Sequence, residues 1–373
     1  MLFKKKKYTG GRSLSAHAWK KFKKDKLAFS ALVFIILVAI IATLGYLITP
    51  DSSPMANEQH LEIAKQKPGF DVLMLKTKRT REPASPGFFG RMIYGSKPEF
   101  RYIPISDWSY ENGSMYYKEF SQHTSGVQDV FEVPQEKLAE SRPEENIVRK
   151  QYLLGTDSYG RDLLSRLMIG ARVSLSVGFI SVIISLIIGI TLGAVAGFFR
   201  GWPDTVIVWF INVVWSIPTL LLVIAITFAL GKGFWQVFVA VGLTMWVEVA
   251  RVVRGQIMSI REKEFVEAGR ALGFNNFRII FRHVLPNIMG PVIVISAANF
   301  ASAILIEAGL SFLGIGVQPP MPSWGTMIKE NYAYIILDAP YLAILPGVAI
   351  MLMVLAFMVT GNGLRDALDV KSM

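Results

Sequence analysis

Six long stretches almost free of charge constrain this chain more than any other feature. Uncharged apolar runs lie between Lys26 and Asp51, Arg172 and Arg200, Asp204 and Lys232, His283 and Glu307, and Asp338 and Arg365. A further run starts after Lys232 and is interrupted by Glu248. A bilayer core about 30 Å thick is crossed by roughly 20 apolar helical residues, and each run meets that length. Only helices and closed barrels satisfy their backbone hydrogen bonds in lipid, and these runs are too continuous for alternating barrel strands. Hydrophobic residues make up 52% of the chain, so their segregation rather than their abundance carries the argument. The expected fold is an all-α membrane protein with six transmembrane helices.

The net charge of +11 is distributed as topology demands. Residues 1–26 hold Lys4, Lys5, Lys6, Lys7, Arg12, Lys20, Lys21, Lys23, Lys24 and Lys26 against Asp25 alone. Lys and Arg in short flanks mark the cytoplasmic side, which places this basic N-terminus inside. Six crossings return the tail, 365–373 with Arg365 and Lys371, to the same side. Parity also puts 251–286 there, with Arg251, Arg254, Arg261, Lys263, Arg270, Arg278 and Arg282. The first apolar run, Leu27 to Thr49, exceeds a signal-peptide core and no small-x-small site follows it. An uncleaved helix over 27–49 is expected. The basic segment is short and adjoins a membrane helix, so no nucleic-acid partner is expected.

Residues 50–170 fall outside and separate helices 1 and 2. Basic and acidic residues balance there, 17 of each over 50–172, and long loops translocate largely regardless of charge. The segment is rich in aromatics, from Phe70 and Phe88 to Tyr116, Tyr117 and Phe131, unlike a disordered linker. Short strands are expected, with turns at Pro83, Pro86, Gly87, Asn112 and Gly113. The charged stretch from Gln135 to Lys150 reads as a helix or a solvated linker. The segment either docks a soluble partner or caps the outer gate, or else packs on neighbouring subunits.

Enzymatic chemistry finds little footing. There are no cysteines, hence no thiolate nucleophile or cysteine metal site. The histidines, His17, His60, His123 and His283, are scattered without metal spacing. No Gly-x-x-x-x-Gly-Lys-Ser/Thr phosphate loop is present, so phosphoryl transfer by that route is excluded. Neither a catalytic residue nor a metal site is expected. Among polar residues in the spans, Glu248 is read near the inner end of the fourth, paired with Arg251 or serving as a gate. Glu307 is read near the outer end of the fifth, in a gate or packing network. Asn212 and Asn299 suit bonds across helices. Gly178, Gly189, Gly193 and Gly197 suit close packing, and Trp209, Trp215, Trp235 and Trp246 suit interface anchors.

The most specific signal lies in the basic loop. Before Gly273, Ile260, Phe265, Ala268 and Leu272 share one helical face. Gly273 and Asn275-Asn276 stop that helix, and a second short piece runs from Phe277 to His283. On residue type alone this pair either inserts into a groove of a soluble partner or lies flat on lipid. Glu267-Ala268-Gly269, then Gly273, then Leu285-Pro286 resembles the Glu-Ala-Ala loop of bacterial ABC importer permeases. Gly269 stands where that pattern has a second Ala, and His283 where Ile is usual. Leu154 to Asp162 (LGTDSYGRD), Ile306 to Gly314 (IEAGLSFLG) with Gln318-Pro319-Pro320 and Ser323-Trp324-Gly325, and Gly363 to Asp369 are similar to segments of peptide permeases. Together they look like the C-type permease of the dipeptide, oligopeptide and nickel importer family, over roughly 15–50 and 150–370.

That resemblance implies the type I importer permease fold, with an extracytoplasmic insertion between helices 1 and 2 and a permease domain over 171–364. It implies a bacterial inner-membrane location and a B-type permease partner. It also implies two ABC ATPase subunits that hold the ATP and Mg, and an extracytoplasmic substrate-binding protein. The loop over 255–286 would be the ATPase-coupling element, carried by Phe265, Glu267, Ala268, Gly269, Ala271, Leu272, Gly273, Leu285 and Pro286. The expected function is a permease subunit for dipeptides or oligopeptides; a nickel or opine importer, an ion-coupled carrier and a membrane scaffold are the competing readings. A carrier would favour acidic residues at mid-membrane and an internal repeat, and neither is evident.

Overall fold

A computed structural model describes residues 14–80, 86–121, 129–231 and 233–368. The expectations resting on Lys4 to Lys7, Arg12, Pro83, His123, Asp369 and Lys371 lie outside these residues. The described helices are α1 (Leu14–Phe22), α2 (Lys26–Leu44), α3 (Phe88–Tyr94), α4 (Leu163–Phe199), α5 (Gly201–Trp215), α6 (Thr219–Leu230), α7 (Phe234–Ile260), α8 (Glu264–Ala271), α9 (Asn276–Phe312), α10 (Trp324–Asn331) and α11 (Tyr341–Leu368). The strands are β1 (Phe70–Lys78), β2 (Phe100–Glu111), β3 (Ser114–Glu119), β4 (Val130–Pro134) and β5 (Ile147–Tyr152).

Five helices, α2, α4, α7, α9 and α11, are long and apolar enough to span a bilayer. The remaining apolar run is bent: α5 and α6 meet at 93°. Pro218 is the cause, since it offers no N–H and disfavours helix at Ile217 before it. The unbroken run expected between Asp204 and Lys232 is therefore two half-helices. The second span also begins earlier than Arg172 suggested, because α4 starts at Leu163 and places Arg166 and Arg172 inside the helix.

The chain folds as two compact units. One takes Met1–Leu37, Val177–Ile306 and Met351–Met373; the other takes Val38–Ser176 and Glu307–Ile350. In the first, α2 starts on the Asp25 carboxylate, which accepts the Leu27 and Ala28 N–H groups at 3.1 Å each, an N-cap. α4 and α7 approach closely along Gly189, Gly193 and Gly197. A Cβ at Gly193 would lie 2.6 Å from the Ala250 carbonyl oxygen, and one at Gly197 would lie 2.8 Å from that of Arg254. Small residues at i, i+4 and i+8 let two backbones meet where lipid supplies no hydrophobic drive. At Gly178 a Cβ would strike the Phe300 ring at 2.4 Å.

The second unit holds an antiparallel sheet in the order β4-β3-β2-β1-β5. Asn112 and Gly113, both at positive φ, make the two-residue β2–β3 hairpin that strand twist favours. In β1, Val72 and Met74 pack with Ile63 and Tyr152 on one face, while Leu75 packs with Ile105, Met115, Tyr117 and Leu138 on the other. Burial of both faces explains why β1 reads as an apolar run rather than an alternation. The stretch from Gln135 to Lys150 is neither helix nor linker. It makes short turns at Gln135–Lys137 and Pro143–Asn146, then enters β5. Buried Asn146 fixes the second turn by donating to the Arg142 carbonyl at 2.8 Å and accepting from the Glu140 N–H at 2.7 Å. The β-branched pair Ile147-Val148 then continues along β1.

Candidate functional site

The loop between α7 and α9 is a helical hairpin wedged into the core of its unit. Val266 and Gly269 on α8 are buried, with Ile279, Ile280 and Val284 from the start of α9 and Val253, Ile257 and Ile260 from α7. Of the four residues read on one face, Ile260 is buried in the core, whereas Phe265, Ala268 and Leu272 do not enter it. They point away from it, with Phe265 at 41% and Leu272 at 72% exposure. Phe277 at 69% and Phe281 at 56% are also exposed, their rings tilted by 35° with centroids 4.3 Å apart. Four large exposed apolar side chains on one short hairpin suit cover by a partner or by lipid.

Local chemistry makes the hairpin rigid. Glu264 and Glu267 sit in the first turn of α8, where the helix dipole favours carboxylates. Gly273 ends α8 at φ +76°, a left-handed position costing other residues about 1–2 kcal/mol. Its N–H donates to the Arg270 carbonyl at 2.9 Å, and that of Phe274 to the Gly269 carbonyl at 3.0 Å, the paired bonds of a Schellman cap. Asn275 does not stop α8. Its side chain accepts the Arg278 N–H at 2.8 Å and so starts α9. The second helical piece is continuous with the fifth span through a π turn at Ile279–Val284. Pro286, next in the helix after Leu285, has no N–H for the preceding turn, and the wider turn absorbs the mismatch.

Of the two departures from the family pattern, only His283 has a local explanation. A Cβ on Gly269 would sit 3.6 Å from the Phe274 ring, an ordinary contact, so no close approach requires glycine here. His283 lies flat against Phe274, with centroids 5.9 Å apart and planes within 8°, and Arg278 covers that ring at 4.0 Å. Ala271 and Pro286 are exposed, and Leu285 packs partly into the core. The hairpin is tied to the end of α4 by Arg261, which donates to the Phe198 carbonyl at 2.5 Å, and by the Arg200–Glu262 ion pair at 2.6 Å.

The polar residues singled out in the spans separate sharply. Glu248 is mid-helix rather than near an end, because α7 runs on to Ile260. No ion pair joins it to Arg251 among the described residues; the Arg251 guanidinium lies 3.5 Å from the Trp215 ring centroid. Glu248 borders a cavity of about 310 Å³ with Trp215, Thr244, Met245, Ser302 and Leu305. Glu307 is fully buried and accepts from the Ser174 hydroxyl at 3.0 Å and the Ser311 hydroxyl at 2.8 Å, a packing network. Asn212 is exposed, and buried Asn299 has no partner on either amide atom among the described residues. Trp246 is buried in the core, unlike exposed Trp209, Trp215 and Trp235.

A buried ion network escaped sequence reasoning, although its motif did not. Asp157 takes Arg161 at 2.6 Å and Arg166 at 3.3 Å, and Glu330 takes the same two guanidinium groups at 2.8 and 3.3 Å. Gly160 is required there, since its φ is +71° and a Cβ would overlap the His60 carbonyl at 1.7 Å. Nearby, burial pushes the Asp162 carboxyl up against the pull of its Ser165 bonds. Arg172 caps two helix ends at once, donating to the carbonyls of Ala42 and Thr43 and of Met92 and Ile93 at 2.8 to 3.1 Å.

Residues 189–372 match the family described as binding-protein-dependent transport system inner membrane component, and residues 13–68 match the N-terminal TM domain of oligopeptide transport permease C. A glutathione transport system permease protein of Pectobacterium atrosepticum is 43% identical over 58% of this chain and 72% of its own length. The chain belongs to the C-type permeases of the peptide ABC importer family. A dipeptide transport system permease protein of Alkalihalophilus pseudofirmus is 43% identical over 59% of this permease and 72% of its own length. An oligopeptide transport system permease protein of Bacillus subtilis is 37% identical over 60% and 72%. The permease is a multi-pass membrane protein, mostly helical rather than all-α because of the sheet between its first two spans, with five long apolar helices and the bent pair α5–α6. It works with other transporter subunits, and in this family the ATPase is one of them.

Proposed function

We propose that this permease forms one half of the translocation path of an ATP-driven importer of dipeptides or oligopeptides, and that its hairpin over 264–286 couples the path to an ATPase subunit. The observation that carries the reading is the apolar surface of Phe265, Leu272, Phe277 and Phe281, held outward on a capped hairpin whose inner face is locked in the core. A lever must be stiff on one side and adhesive on the other, and this element has both properties. Movement imposed on α8 would reach α4, α7 and α9 through the Val266, Ile279 and Ile280 contacts.

The proposal extends to the rest of the assembly, in keeping with membership of the peptide permease family and with the charge distribution. A B-type permease completes the path, a pair of ABC ATPases binds ATP and Mg, and a substrate-binding protein delivers peptide. Basic flanks at residues 1–26 and 251–286 favour both termini and the hairpin on the cytoplasmic face of the bacterial inner membrane. The test is Glu267→Arg in the reconstituted importer. Peptide uptake should fall at least tenfold, about 1.4 kcal/mol of coupling, with membrane insertion intact and ATP turnover continuing. Unimpaired uptake would remove the hairpin from the mechanism.

A further inference from the structure

Glu248 differs in its surroundings from Asp204 and Glu307, the acidic residues of the neighbouring spans. Asp204 holds Arg254 at 2.5 Å, and Glu307 is enclosed by serine hydroxyls. Among the described residues no donor reaches the Glu248 carboxylate. The guanidinium one turn away, Arg251, is committed to the face of Trp215. Trp215 in turn forms a wall of the cavity that Glu248 borders, with Val214, Met245 and Leu305. Glu248 is the one charged residue of that lining. Carboxylates within membrane spans are costly and persist where they face a cavity and meet a partner. The same cavity is bordered by Ile217 and Thr219, at the break between α5 and α6. Broken helices are tolerated at membrane depth where their backbone lines a cavity, and substrate sites form at such breaks.

We propose that Glu248 is a specificity-determining contact of the translocation path, binding the α-ammonium of a passing peptide while the apolar walls take its first side chain. The assignment deepens, and rests on, the peptide-importer reading. About 310 Å³ lies at the small end of ligand pockets. It suits one end of a short peptide rather than its whole length. A cation-selective contact also explains why the nearest arginine is stacked aside on an aromatic ring instead of neutralising the carboxylate.

The test uses the complete reconstituted importer and the absence of native cysteine. Ser302→Cys places a thiol on the cavity wall, in chains carrying either Glu248 or Glu248→Gln; Thr244→Cys is the second reporter. Modification rates are compared for a trimethylammonium thiosulfonate and a sulfonate thiosulfonate of similar size. With Glu248 the cation-to-anion rate ratio should exceed that in the glutamine background by at least tenfold, and trialanine supplied with binding protein and ATP should slow modification. Equal ratios in the two backgrounds would overturn the assignment. So would both cysteines being unreactive in the assembled importer, because another subunit would then fill the cavity. If the importer does not transport trialanine, the peptide reading fails on its own, while the charge ratio still reports on Glu248.

Discussion

Truncating Phe265 to alanine separates the two faces of the hairpin. The side chain is 41% exposed. Of the roughly 200 Å² that a phenylalanine buries, about 80 Å² is thus left for a partner. At about 25 cal/mol per Å² that surface contributes about 2 kcal/mol to docking, or about thirtyfold in affinity. The control is its neighbour. Val266 is fully buried, and Val266→Ala removes two methyl-sized groups at about 0.8 kcal/mol each, plus a cavity term, from the fold itself. Phe265→Ala should lower the melting temperature of the purified permease less than Val266→Ala does, and weaken capture of the ATPase subunit in nanodiscs about thirtyfold. Val266→Ala should lower the melting temperature. If Phe265→Ala binds the ATPase subunit as tightly as the parent, the docking role of this face is wrong; if it melts like Val266→Ala, the division into inner and outer faces is wrong.

Three further outcomes follow from other parts of the molecule. Gly269→Ala should be neutral or stabilising by up to about 1 kcal/mol, because the added Cβ meets only ordinary contacts, whereas Gly273→Ala should cost about 1–2 kcal/mol at its left-handed φ; equal thermal melts would refute the cap assignment. Asp157→Asn should destabilise by about 3–5 kcal/mol, since it leaves Arg161 and Arg166 buried with half their counter-charge; chemical denaturation measures it, and a loss under 1 kcal/mol would contradict the network. Burial opposes ionisation of Glu58, but His60 at 3.7 Å and Lys150 at 3.4 Å outweigh it and hold the carboxyl below its ordinary value. Its folded pKa is the lower one, so its contribution is present above the unfolded pKa of about 4.3 and is lost as pH falls through the depressed value. Glu58→Gln should flatten the acid limb of the stability profile below about pH 4.5, and an unchanged limb would count against the pair.

The sequence alone determined the class of this protein. Long uncharged runs have a single low-energy answer in lipid, because every backbone group must be bonded within the segment. The loop from Glu267 to Pro286 was legible because its capping residues act over three or four positions. Asn112-Gly113 announced its hairpin for the same reason.

What sequence could not decide were matters of direction and partnership. Ile260, Phe265, Ala268 and Leu272 share a period, but period alone does not say which stripe meets the core. Only the packing of Val266 against Ile279 and Ile280 settles that Phe265 faces out. Asp157 and Glu330 lie far apart in the chain, and their joint hold on Arg161 and Arg166 has no local signature. Pro218 lies inside the run read as unbroken, and the cavity beside Glu248 at the 93° bend depends on where α7 and α9 place their side chains. Secondary structure here is written in neighbours along the chain, while the exposure of a carboxylate is set by distant residues brought together in folding.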